Sequence, residues 1–349
     1  MLIGAVVAAL LVLPAVAADN GWTVWPTKTF NAGSLRIEDV VGSVRVNVQP
    51  GPMKVDVSGS PAFVNNVEVT TEGGTLHIDG NSDQPSGVSV WDWKKWFDYS
   101  HVGDNQRDAK LYIKVTVPRG TPVKIEDMIG GVTIGDTYGP VDLETTAADA
   151  TVGRVTGARV SLSGSGTIAI ADVLGDLNLE IAGSGKVTSG HANNVKAEIA
   201  GSGNAILGTI TGNLDIDIAG SGDFTAQRTR GSVKVGIAGS GNVKIADGVA
   251  DPLQVDIMGA GDLNFGGVAV NPKISALGSG TVRIRAYKGN LSNDGMASVQ
   301  IGGDIPVPPS PPAPPSPPSP PAPPAPNMHP VPPAPPAPPH HSDDDDDDN

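Results

Sequence analysis

Glu180, Glu198 and Asp217 fall 18 and 19 residues apart, each five positions before the last glycine of a Gly-Ser-Gly triplet. If each triplet marks one turn of a stack, the three carboxylates stand one above another on an outer wall. Like charges so placed repel, and a divalent cation would relieve them. The plainer reading is a solvated, charge-balanced face. The column two positions earlier reads Arg159, Asn178, Lys196, Asp215, Lys234, Gln254 and Lys273, so Lys196 can neutralise Glu198 or its neighbours. His340 and His341 precede a run of six aspartates; the pair could ligate Ni²⁺, Cu²⁺ or Zn²⁺ weakly, and an acidic solubilising tail accounts for the same residues.

Trp91, Trp93, Trp96, Phe97 and Tyr99 offer a different chemistry. The spacing permits a short amphipathic turn with Trp93, Trp96 and Phe97 on one side. Such rings plug the end of a hydrophobic core, or contact sugars or a membrane interface. Catalytic signals are poor by comparison. The stretch from Gly183 to Thr188 lacks the four-residue spacer of a phosphate loop, and no helix pattern follows it. There is no Gly-x-Ser-x-Gly elbow, and no cofactor is called for. A non-enzymatic role is expected, with a carbohydrate-active β-helix enzyme as the alternative. Such enzymes place carboxylates on one outer wall but usually add longer, irregular loops.

A repeat must position these residues. Glycine, a small residue and glycine recur from Gly164, Gly183, Gly201, Gly220, Gly239, Gly259 and Gly278, at steps of 19, 18, 19, 19, 20 and 19 residues. A fixed period near 20 marks a solenoid, with each repeat one coil. Apolar residues alternate before each triplet, as in Leu177, Leu179 and Ile181 or Leu214, Ile216 and Ile218. The same parity resumes beyond it at Val187, Phe224, Val243 and Leu263. Period-two alternation argues strand. Unbroken parity predicts that both glycines point inward, at a sharp corner. Turn dipeptides such as Gly175-Asp176, Asn193-Asn194 and Gly212-Asn213 mark a second corner. The segments between corners are too short for a crossover helix. The expected fold is therefore all-β: a right-handed parallel β-helix with ~19-residue rungs about 4.8 Å apart. Residues 131–134 and 149–152 read as degenerate upstream rungs. A detached copy runs from Ile37 to Val46 and parallels the stretch from Ile125 to Ile134. The outward alanines and serines near the corner, among them Ala182, Ala200, Ser184 and Ser202, make a flat, uncharged strip.

The organisation that follows has four parts. Residues 1–18 read as a secretory signal peptide, cut near Ala17 or Ala18, with an uncleaved anchor as the rival reading. Residues 19–120 read as an N-terminal β-rich capping region, because an open rung is an unpaired strand edge. Residues 121–305 are the solenoid. Residues 306–349 are a disordered, Pro-rich polyproline stalk with a poly-Asp tip. The chain has no cysteine, so it makes no disulfide. Its net charge of −14 opposes nucleic-acid binding. The protein is expected in the periplasm, at the cell surface or outside the cell. Its partners would be an envelope polysaccharide or envelope protein, with no transmembrane anchor after cleavage and with end-to-end self-association as a further reading.

The segment from Val115 to Pro118, the Ile-Glu-Asp beginning at Ile125 and the Gly-Ser-Gly series together resemble the adhesins of bacterial envelopes, of the auto-transporter adhesin head GIN domain type. The resemblance covers roughly residues 30–305. It implies a β-helix, export and an adhesive role, and it brings no catalytic residues.

Overall fold

The computed structural model describes residues 16–17, 22–81, 111–295 and 298–302. Strands form where apolar residues alternate with polar ones. In Leu177–Gly183, Leu177, Leu179 and Ile181 are buried while Asn178 and Glu180 are exposed. This strand pairs in parallel with Val195–Gly201, which pairs in turn with Leu214–Gly220. A second wall repeats the pattern through Lys186–Ala192, Asn204–Ile210 and the first part of Asp223–Gly239. The result is a nearly all-β solenoid of about nine turns at ~19-residue spacing. One hydrophobic column fills its interior, from Leu35 to Ile284. Each buried Val, Leu or Ile contributes about 1.5–3 kcal/mol relative to an exposed one. Register is strictly held, since a one-residue slip would turn every apolar side chain outward.

The two glycines of a triplet do different jobs, and only the second points inward. The first glycines at 183, 201, 220, 239, 259 and 278 take φ between +117° and +139°. A Cβ on any of them would lie 2.0–2.6 Å from the carbonyl oxygen of the glycine one rung earlier. Their missing side chains therefore point along the stack, which corrects the expectation that parity runs unbroken through the corner. The second glycines behave as expected. Gly203, Gly222, Gly241 and Gly261 are buried. A Cβ there would come within 2.4–2.7 Å of the Cγ2 of Ile181, Ile199, Ile218 and Ile237. The isoleucine of the preceding rung occupies the space the glycine leaves.

The second corner is held by side-chain amides and carboxylates. Asn194 Nδ2 donates to Asp176 Oδ1 at 2.8 Å, and the Asn213 backbone N–H donates to Asn194 Oδ1 at 2.9 Å. The Ser232 N–H and hydroxyl both donate to Asn213 Oδ1. Asn194 and Asn213 thus each satisfy a backbone N–H of the next rung that the turn takes out of the ladder.

The N-terminal rungs are stacked out of sequence order. The copy at residues 37–46, distant in sequence, lies directly beside its twin. Leu35, Arg36 and Ile37 pair in parallel with Val123, Lys124 and Ile125, and residues 40–46 pair with 128–134. Both copies bend at an aspartate with positive φ, Asp39 at 53° and Asp127 at 49°, a conformation Asp tolerates better than most residues. On the far side of this rung lie Thr75–Asp79 and Leu111–Val117. Antiparallel strands Glu68–Glu72 and Met53–Gly59 then cover their outer edges, which protects them from pairing with another chain.

The glycine geometry makes a direct prediction. Gly220→Ala combines positive φ with a Cβ 2.4 Å from the Gly201 oxygen, and is expected to cost about 2–5 kcal/mol. Gly157→Ala, whose Cβ would meet nothing closer than the Asp176 oxygen at 3.7 Å, is expected to cost less than about 1 kcal/mol. Guanidinium denaturation midpoints of the two variants check the difference.

Candidate functional site

The wall that contains Leu177–Gly183, the long wall, carries its outward residues as columns. His77, Arg36, Lys124, Asp142, Arg159 and Asn178 stand one above the next in consecutive rungs. Beside this column runs an acidic one. At its N-terminal end the two interlock. Arg36 lies 2.8 Å from Glu38 and 2.9 Å from Glu126. Lys124 lies 2.8 Å from Glu126 and 3.9 Å from Asp142. His77 Nε2 lies 2.6 Å from Glu38 Oε1. The hydrogen bond to Glu126, with the negative charge behind it, pushes the Lys124 pKa up. Glu126 is the most enclosed member, its side chain 15% exposed between two cations.

Arg36, His77, Lys124 and Asp142 line a groove of about 670 Å³, to which six stacked rungs contribute, from Thr75 to Asn178. At strand spacing, six rungs extend about 24 Å. Leu35, Val123, Val141 and Ala158 supply apolar lining. Arg159 also lines the groove and makes no ion pair with a described residue. The groove therefore combines the Arg159 guanidinium with the carboxylates of Glu72, Asp142 and Asp176, while Glu38 and Glu126 brace its cations from outside the lining. That arrangement of charged and polar groups along several rungs suits recognition of a polar, elongated ligand.

Farther along, Glu180, Glu198 and Asp217 lie in adjacent rungs of the acidic column. Lys196 Nζ is 2.6 Å from Glu198 Oε1, and that hydrogen bond pushes the Lys196 pKa up. Lys234 lies 3.4 Å from Asp215. Among the described residues, no group of three or more His, Asp or Glu is placed to hold a metal ion. The alanine column at Ala200, Ala219 and Ala238 is exposed and continues into Met258 and Leu277, which pair in register at 63% and 57% exposure.

Trp91, Trp93, Trp96, Phe97 and Tyr99, as well as His340 and His341, lie outside the described residues, as does the leader apart from residues 16–17. Sequence reasoning left Arg36, His77 and Lys124 unassigned. Their only signal was the Ile-Glu-Asp copy that links residues 37 and 125. His77 carried none, because its rung enters the stack out of order.

The second wall adds a pH-sensitive pair. Asp247 is held below its ordinary range, first by the Gly248 backbone N–H and then by Arg228, whose Nη2 lies 2.9 Å away. A depressed carboxylate contributes stability above its unfolded pKa and loses it as pH falls through the folded value. Asp247→Asn is therefore expected to lower the thermal midpoint near neutral pH, and the difference from the parent is expected to vanish by about pH 2. Thermal melts across that range measure it.

A family profile described as "Putative auto-transporter adhesin, head GIN domain" matches residues 36–248. No curated protein matches the chain. Among solved structures, one titled "putative adhesin" from Parabacteroides distasonis is 15% identical, with 81% of this chain and 98% of that chain covered at a TM-score of 0.40. A second from the same organism, titled "Putative lipid binding protein", is 15% identical, with 81% and 97% covered at 0.36. A "putative adhesin" from Parabacteroides merdae is 11% identical, with 82% and 98% covered at 0.30.

Proposed function

The chain belongs to the family described as "Putative auto-transporter adhesin, head GIN domain", and from that premise we propose that it is an exported, non-enzymatic binding protein of the bacterial cell envelope. The observation that carries this reading is the groove along the long wall. It is elongated in the stack direction, lined by groups from six rungs, and supplied with a cation, Arg159, that makes no ion pair with a described residue. A chain polymer laid along the stack would meet the same backbone spacing again and again. An envelope polysaccharide or an extended segment of an envelope protein has that form.

Rigidity supports the reading. Arg36, Lys124, Glu38 and Glu126 are braced against one another, so the rim is organised before a ligand arrives and little ordering cost is added on binding. Solvent-exposed charge contacts of this kind also weaken with salt.

Binding to envelope polysaccharide fractions and to a glycan array tests the proposal. The full chain is expected to bind without releasing oligosaccharides, and Arg159→Glu is expected to weaken wall-groove binding about tenfold or more. Release of oligosaccharides over time would replace this reading with an enzymatic one. Absence of binding to any envelope fraction would remove it.

A further inference from the structure

The outer face of the N-terminal strands holds a second cleft, of about 460 Å³. Three neighbouring strands form its floor. Val40–Val48 contributes Arg45 and Asn47, Leu111–Val117 contributes Tyr112 and Lys114, and Met53–Gly59 contributes Asp56 and Ser58. Register sets their places: Arg45 is opposite Lys114, Lys114 is opposite Asp56, and Tyr112 is opposite Ser58. Val24, Trp25, Thr27 and Val57 complete the lining. Trp25 is anchored, since its backbone N–H donates to the Val57 carbonyl at 2.8 Å and the Lys28 ammonium sits 4.3 Å from its ring centroid.

The charges in the cleft do not cancel. Asp56 is already engaged: Lys114 lies 3.5 Å from its carboxylate and the Thr27 hydroxyl donates to it. Arg45 is exposed and makes no ion pair with a described residue. The surplus is therefore one guanidinium, whose planar fork matches a carboxylate. Around it, Asn47 and Ser58 can exchange hydrogen bonds with hydroxyl groups. Trp25 and Tyr112 offer apolar ring surface with polar tips. The volume lies within the range of small-ligand sites.

A single ligand unit that uses all of these carries a carboxylate, several hydroxyls and an apolar ring face. We propose that this cleft binds a carboxylate-bearing sugar residue, a uronic or sialic acid unit. An acidic peptide would satisfy Arg45 but would leave the hydroxyl-directed groups Asn47 and Ser58 with less to bind. The cleft shares no lining residue with the wall groove, so it is a separate site.

The test uses the full chain on an array of uronate- and sialate-bearing oligosaccharides, each beside its carboxyl-reduced counterpart. Acidic forms are expected to bind about tenfold or more tightly than their reduced partners. Arg45→Gln is expected to erase that preference, and Arg45→Lys, which keeps the charge but not the fork, to restore part of it. Neither change is expected to move the thermal midpoint, because Arg45 is exposed. Arg159→Glu is expected to leave the acid preference intact, which separates failure here from failure of the wall groove. Equal binding of acidic and reduced forms, no binding of any acidic form, an unchanged preference in Arg45→Gln, or stronger binding of an acidic peptide would each overturn the proposal.

Discussion

The carbonyl oxygen of a corner glycine occupies space that any other residue one rung later would need. Gly183 shows the arrangement. Its oxygen accepts the Ser202 N–H at 2.9 Å, and it also lies 2.6 Å from where a Cβ on Gly201 would sit. The same pairing recurs from Gly201 to Ser221 and from Gly220 to Ser240, each at 2.8 Å. A side chain at this position would force neighbouring rungs apart and take the ladder's hydrogen bonds with them. The glycine thus permits at the corner the close spacing that the hydrogen-bond ladder sets, and that spacing positions everything mounted on the walls.

One consequence is chemical. Parallel, in-register stacking turns a sequence period into columns of like position, so a residue's outward neighbours are those about 19 residues away. Charged columns are tolerable only if adjacent columns or adjacent rungs compensate them. Lys196 with Glu198, Lys234 with Asp215, and Arg228 with Asp247 do so. These pairs are half-exposed and individually worth little. Arg159 and Arg45 lie outside these pairs and each lines a groove or cleft, which makes them available to a ligand.

A second consequence concerns the ends. A stack of parallel strands terminates in an unpaired edge unless something of another kind closes it. The chain meets this by returning Thr75–Asp79 and Leu111–Val117 beneath the rung at residues 34–48 and by laying antiparallel strands against them. The closure also creates both clefts. The wall groove opens where out-of-order rungs join the regular series, and the cap cleft opens where three strands meet the strap that carries Trp25.

The alternation of Leu177, Leu179 and Ile181, with its repetition at each triplet, was enough to establish the rungs, their parallel stacking and the inward column, because side-chain direction in a strand depends only on parity. The stacking of Glu180, Glu198 and Asp217 followed from the same count. The first glycine's role did not, since its reason is a carbonyl one rung away, and a linear pattern cannot show which way a missing side chain would have pointed. Nor could the sequence place Arg36 beside Lys124 or His77 beside Arg36. Those neighbours depend on the order in which the N-terminal rungs enter the stack, and hydrogen-bond pairing between distant segments is decided by which strand edges meet, a property of the folded chain alone.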